Sequence, residues 1–143
     1  MNSYRRLVPD MSAPINLEWG YDNRTTGLRV PRSNPRNRRV ENRLIGADTN
    51  PYLALAGSLA AGLLGIQNRV EPRADVVGNS FEGGRALPYS LLEGLDAFTK
   101  SAELAEVLGQ KFIDMYAALK FEEYDAFMQV ISPWERQHLL LNV

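Results

Sequence analysis

Hydrophobic and polar positions along this chain change rhythm near residue 50. Before it, apolar residues come in short alternating runs broken by turn formers; after it, they recur at helical spacing. Ile15-Asn16-Leu17-Glu18-Trp19 alternates and predicts a strand, with Tyr21 to Arg24 as the turn after it. Gly27 to Val30 predicts a second strand, ended by Pro31. Arg38 to Leu44 predicts a third, beyond a polar loop over 31–37. Three short strands joined by polar turns predict an antiparallel piece of sheet, marginal by itself. Residues 1–13 predict a loop or flap, because Pro9-Asp10 and Ser12-Ala13-Pro14 supply turn chemistry.

The helical part opens sharply. Asn50 can cap, and Pro51 suits the first helical position, where its missing N–H is not needed. That helix is predicted to run to about Ile66. It has no polar face, so it is expected to be buried and covered on nearly all sides. Such cover demands more protein than the rest of the chain easily supplies. Ala56, Gly57, Ala60 and Ala61 leave room for a close neighbour. Pro72, Gly78, Gly83, Gly84 and Pro88 mark a long excursion over 67–89. Ser90 with Glu93 suggests a capping box for a short helix over 91–98, and Ser101 starts another over 102–108. A long amphipathic helix is expected over 111–130, with Phe112, Met115, Tyr116, Leu119, Tyr124, Phe127 and Val130 as its apolar positions. Ser132-Pro133-Trp134-Glu135 is a further start signal. The expected class is α+β: a flap and strands over 1–49, then a mainly helical segment over 50–143.

Composition narrows the function. The chain has 143 residues, 45% hydrophobic and 23% charged, with a formal net charge of -1. A nucleic-acid binder of this size carries a clear basic excess, so no nucleic-acid partner is expected. The early part is arginine-rich and the late part acidic, which favours a small anionic ligand. Cysteine is absent, so disulfides, thiolate metal sites and a cysteine nucleophile are excluded. The apolar stretch from Tyr52 to Ile66 is shorter than the roughly 20 residues of a membrane span. No secretory pattern follows Met1-Asn2-Ser3-Tyr4-Arg5-Arg6. No membrane partner is expected, and the expected location is the cytoplasm.

The candidate chemistry lies in Arg39-Val40-Glu41-Asn42-Arg43. If this run is a strand, Arg39, Glu41 and Arg43 share one face, and one carboxylate sits between two guanidiniums. Arg6, Arg24, Arg29 and Arg38 precede it. Arginine's planar fork matches phosphate and carboxylate oxygens. Phosphoryl transfer uses such groups, with divalent metal, to hold charge on three equatorial oxygens. Glu41 is the candidate metal ligand, because Mg2+ prefers carboxylate oxygen. Spacing alone leaves two readings open: a converging phosphate site, and a ladder of Arg and Glu pairs on an exposed strand, where charge normally sits. His138 is the only histidine, without a second histidine or an acid at ligand spacing, and receives no metal or acid–base duty. Trp19 and Trp134 read as packing residues. No glycine-rich loop ends in Gly-Lys-Ser/Thr, so a phosphate loop is excluded.

The motifs together resemble one family. They are Asn2-Ser3-Tyr4-Arg5-Arg6-Leu7-Val8-Pro9, Ala13-Pro14, Trp19-Gly20, Asn23-Arg24-Thr25, Leu28-Arg29-Val30-Pro31, Arg39-Val40-Glu41-Asn42-Arg43 and Asn50-Pro51-Tyr52-Leu53-Ala54. In order and spacing they resemble the C-terminal portion of the glutamine synthetase catalytic domain. Ile131 to Arg136 and Leu139 to Val143 resemble the γ-glutamylpolyamine synthetase branch. The resemblance implies an ATP-dependent ligase acting in two steps: the γ-carboxylate of glutamate is phosphorylated, then ammonia or a primary amine displaces phosphate. It implies Arg6 at the glutamate α-carboxylate, Arg24 at the transferring phosphate, Arg29 and Arg39 on ATP, and Arg43 at the γ-carboxyl group. Arg24 and Arg43 would be the catalytic pair. Glu41 would ligate one of two Mg2+ or Mn2+ ions.

Two departures from the family pattern carry further expectations. Glutamine synthetases place an ammonium-binding glutamate just before the Ala-Pro of the flap, and this chain has Ser12 there. That loss of a carboxylate implies a larger primary amine, with polyamine preferred over ammonium. The family's N-terminal domain and the first half of its catalytic domain, with most of the metal ligands, have no counterpart in these residues. The chain alone is therefore expected to be inactive, with that missing part as its partner. A parent enzyme of the family is expected to form a homo-oligomer of two stacked rings.

Overall fold

The computed structural model describes residues 2–141, so Met1 and the last two residues of the Leu139 to Val143 motif lie outside the described residues. The described chain divides into two units, one ending at Gly94 and one starting at Leu95. The α+β class and its strand-then-helix order are as expected.

The first unit opens with a short helix, α1 (Asn2–Arg6), where a loop was expected. Its sheet has three very short strands, β1 (Trp19–Tyr21), β2 (Leu28–Val30) and β3 (Glu41–Asn42), in that spatial order. β2 and β3 pair antiparallel, as expected, with Arg29 opposite Glu41. β1 and β2 pair parallel instead, Trp19 beside Leu28 and Tyr21 beside Val30. A parallel pair normally needs a long crossover. Here each strand is three residues long, so the return path is only about 10 Å. The six residues from Asp22 to Gly27 can reach that far. Asp22 turns the chain with a left-handed φ of 49°.

The strand predicted over 15–19 starts only at Trp19, and the reason is Asn16. Asn16 is 3% exposed while Leu17 is 50% exposed, which inverts what a half-buried strand would show. The backbone at Ile15 bonds outside the sheet: its carbonyl accepts from Ala86 N–H and Leu87 N–H at 2.9 and 3.2 Å. The third strand is likewise shorter than the predicted 38–44. A 3-10 turn over Pro35–Asn37, capped by the Asn34 side chain, occupies the approach to it. The apolar centre of this unit is Leu7, Ala13 and Leu87, with Tyr4 and Leu44 packed against it.

Helix α2 (Pro51–Gln67) begins where predicted. Asn50 Oδ1 accepts from Tyr52 N–H and Leu53 N–H at 3.0 and 3.3 Å. The cover this helix was expected to need is not supplied within this chain, and its apolar surface is exposed, as that expectation implies. Only Ala60 is buried, while Tyr52, Leu59 and Ile66 are 81%, 71% and 78% exposed. Its apolar residues lie on all sides, and the chain covers few of them. No helix among the described residues is long and apolar enough to cross a membrane.

Helix α3 (Leu91–Lys100) leads into the second unit, which continues with α4 (Ala102–Leu108), α5 (Gln110–Met128) and α6 (Pro133–His138). These follow the predicted ranges closely. The buried positions of α5 are Ile113 and Ala117, one turn apart, whereas the predicted apolar positions Met115 and Leu119 are exposed. Phe98 and Phe112 both pack on Tyr116, at ring separations of 5.6 and 5.8 Å. At α6 the predicted capping box is complete: Ser132 Oγ accepts from Glu135 N–H, and Glu135 Oε2 accepts from Ser132 N–H at 2.7 Å.

Candidate functional site

The antiparallel register of β2 and β3 sets Arg29 directly across from Glu41. Directly opposed side chains on one face of a sheet are close enough to pair. Arg29 donates to Glu41 Oε2 at 2.8 Å and to Asp22 Oδ1 at 3.1 Å. Its pKa is raised, first by the hydrogen bond to Glu41, against the opposing effect of burial. The guanidinium is thus clasped between two carboxylates.

The expected sandwich of Glu41 between Arg39 and Arg43 is corrected by this geometry. β3 contains only Glu41 and Asn42, so strand alternation does not extend to 39 and 43. Arg39 still approaches Glu41, at 3.7 Å from Oε1, but is more than half exposed. Arg43 turns to backbone oxygens. It donates to the carbonyl of Arg24, to that of Thr26 at 3.3 Å and to that of Ser12 at 2.8 Å. One side chain thereby joins the flap to the turn before β2. Burial lowers the Arg43 pKa most, and the charges of Arg24, Arg29 and Arg6 push the same way, with Glu41 opposing. Three other guanidinium charges thus act on Arg43, and positive charge gathered in this way attracts an anion.

Arg6 ends α1 and donates to the Leu44 carbonyl at 2.8 Å. Its Nε and that of Arg29 are buried without a hydrogen-bond partner in the protein. Each guanidinium carries five N–H donors, so both keep donors to offer. α1 itself is tied down by Ser3, which donates to Asp48 Oδ1 at 2.5 Å and holds that carboxylate below its usual range. Gly46 allows the approach: a Cβ there would lie 2.2 Å from Ser3 Oγ. Arg24 is exposed and lines an open cleft of about 310 Å³ with Tyr21, Asp22, Arg32 and Asp75. Arg32 lies over the Tyr21 ring at 5.3 Å. Arg38 is exposed on the approach to β3, and Ser12 is exposed on the flap.

Several residues that hold this arrangement escape sequence reasoning. Asn16 is the main one. Its amide donates to Ser80 Oγ at 2.9 Å, to the Ser80 carbonyl at 3.2 Å and to the Thr25 carbonyl at 3.3 Å. Its Oδ1 accepts from Glu18 N–H and Gly27 N–H at 3.1 and 3.3 Å. Thr26 beside it is fully buried. A polar residue inside an alternating run is the only signal the sequence offers for it.

Glu41 fits a divalent ion as one ligand. Such an ion takes about six oxygens, and one carboxylate supplies at most two. Among the described residues no three carboxylate or imidazole side chains come together. A metal here would draw its other ligands from outside this chain or from substrate.

Residues 1–139 match the family model described as "Glutamine synthetase, catalytic domain". The chain is 38% identical to the γ-glutamylputrescine synthetase PuuA of Escherichia coli over 143 residues, covering 99% of this chain and 30% of that protein. It is 41% identical to the glutamine synthetase of Thermococcus kodakarensis over 140 residues, covering 90% of this chain and 31% of that one. The fold resembles that of Plasmodium falciparum glutamine synthetase with a TM-score of 0.77 at 22% identity, over 97% of this chain and 37% of that chain. The chain thus spans about a third of the length of these proteins.

Proposed function

Since this chain belongs to the glutamine synthetase catalytic-domain family, we propose that it forms part of an ATP-dependent carbon–nitrogen ligase. The reaction joins the γ-carboxylate of glutamate to ammonia or a primary amine through a γ-glutamyl phosphate. The observation that carries this reading is the pairing of Arg29 with Glu41 across the sheet at 2.8 Å, with Arg39 3.7 Å from the same carboxylate and the charges of Arg24 and Arg6 acting on Arg43. Guanidiniums so placed stabilise charge that develops as phosphoryl passes between oxygens.

In this reading Arg6 receives the α-carboxylate with the terminal N–H groups that the Leu44 carbonyl leaves over. Arg43, seated on three carbonyls, faces the γ-carboxylate. Arg24, with its side chain in the open cleft, contacts the transferring phosphate. Arg39 and the remaining donors of Arg29 hold the nucleotide phosphates. Glu41 supplies a carboxylate oxygen to Mg2+ or Mn2+, and the ion, when bound, neutralises phosphate charge. Ser12 leaves the flap without a carboxylate, which favours a larger amine, a polyamine over ammonium. The parent enzyme is a homo-oligomer whose other residues complete the metal site. The chain by itself does not turn over, since Glu41 stands without companion ligands among the described residues.

The test is Mg2+-dependent phosphate release from ATP with glutamate, run with ammonium and with putrescine. It is run on this chain alone and on this chain with a polypeptide supplying the rest of the domain. Release only in the completed protein, dependent on glutamate and amine, is the expected result. Release by the chain alone overturns the incomplete-site argument, and none in a folded, completed protein overturns the ligase reading. The exposed surface of α2 favours a second reading, a non-catalytic assembly module that keeps anion affinity. Nucleotide binding without turnover in the completed protein would support it.

A further inference from the structure

Arg85 lies outside the arginine motifs of the first strands, yet its guanidinium joins two distant segments. It donates to the Leu7 carbonyl, 78 residues away. It also donates to the carbonyls of Leu87 and Pro88, at 3.3 and 3.2 Å. Its carbon lies 4.0 Å from the centre of the Tyr89 ring, so the face is covered by an aromatic group. No carboxylate pairs with it among the described residues. A planar fork can satisfy several carbonyls at once, which a point-charge ammonium cannot do as well.

The position of Leu7 gives these contacts meaning. It follows Arg6, the last residue of α1, and precedes the exposed flap. Leu7 also belongs to the apolar centre with Leu87. Arg85 therefore fixes the backbone at the start of the flap, while Arg43 fixes it at Ser12. Between the two anchors lie Val8, Pro9, Asp10 and Met11, all exposed, with Asp10 at a left-handed φ of 60°. In so exposed a segment, anchors at the two ends weigh heavily on where it sits.

We infer that Arg85 is a positioning residue: it clamps the Leu7 carbonyl to the 87–88 turn and so sets where Arg6 and the flap meet a carboxylate-bearing substrate. The substrate part of this inference rests on the ligase reading above. The clamp itself does not.

The test uses Arg85→Met and Arg85→Lys. The first readout is amide hydrogen exchange in this chain. Leu7 N–H and Val8 N–H, bonded to the Tyr4 and Arg6 carbonyls, exchange faster in Arg85→Met by about tenfold or more, the scale of a lost charged hydrogen bond. Asp22 N–H and Val76 N–H, bonded to Val30 and Trp19, stay as they were and report that the unit is folded. If they also speed up, the comparison moves to Arg85→Lys, which keeps the charge and loses the fork. Arg85→Lys restores protection only in part. Unchanged exchange at Leu7 and Val8 in either folded variant overturns the clamp, as does full protection in Arg85→Lys, which would leave only charge at work. The second readout is the completed enzyme: Arg85→Met raises KM for the amino acid about tenfold and leaves KM for ATP unchanged. A change in kcat alone, with both KM values kept, overturns the positioning role. If the unsubstituted completed protein shows no turnover, the ligase reading fails while the exchange result still decides the clamp.

Discussion

Replacing Asn16 with leucine separates three segments that one amide now joins. The side chain bonds to residues 18, 25, 27 and 80 and is almost fully buried. Two of its partners find a substitute. The Thr25 carbonyl still accepts from Ser80 Oγ, and Glu18 N–H lies in a partly exposed segment. The Gly27 N–H and the Ser80 carbonyl are left without this partner. Each stranded buried group costs about 1–3 kcal/mol, so Asn16→Leu destabilises the first unit by about 2–6 kcal/mol. That is a large part of the roughly 5–15 kcal/mol that holds an ordinary domain together. The assay is urea unfolding read by tryptophan. The chain has two tryptophans, and Trp134→Phe leaves Trp19, whose indole N–H donates to the Arg73 carbonyl at 2.7 Å. Trp19 then reports on the first unit alone. With a slope of about 2 kcal/mol per molar, the midpoint falls by about 1–3 M. A fall below about 0.3 M refutes the reasoning, because water would then be serving the stranded groups as well as Asn16 does.

Three further outcomes are expected. Ser12→Glu in the completed enzyme shifts preference from putrescine toward ammonium, measured as the ratio of kcat/KM values; an unchanged ratio removes Ser12 from amine selection. The Glu135 carboxylate is held below its usual range, first by the Ser132 backbone N–H and then by the Ser132 side chain. A lowered native pKa means the unfolded state binds the proton first. The capping contribution to α6 is therefore complete above the ordinary glutamate range and disappears as pH falls through the native pKa. Amide shifts of residues 133–138 should follow that titration and lose it in Glu135→Gln. The uncovered α2 makes this chain self-associate at micromolar concentration, and Leu55→Lys with Leu59→Glu reverses that in sedimentation velocity. A strictly monomeric unsubstituted chain would contradict it.

Local signals were legible and distant ones were not. Asn50-Pro51 and Ser132-Pro133-Trp134-Glu135 start helices because a cap and its N–H donors lie within three residues. Glu41 was expected between Arg39 and Arg43, but its main partner, Arg29, comes from across the sheet. Period-two alternation cannot reveal that β3 ends after two residues, nor that Arg43 turns to Ser12 and Thr26. Those depend on where the chain returns after a turn. Arg85 gave no signal at all, because its partners are backbone oxygens, which every residue carries. The predicted stripe of α5 held only in part, with Phe112, Tyr116 and Tyr124 half-buried. Met115 and Leu119 have the right spacing, but the buried line runs through Ile113 and Ala117.

Arg43 rests on the main chain of Ser12, and the Ser12 side chain plays no part in holding it. Every amino acid offers that same carbonyl. The side chain at position 12 can therefore change while the guanidinium beside it keeps its seat. The anchor is thus independent of the side chain it rests beside, and a substitution on this exposed edge of the flap leaves the seat of Arg43 intact.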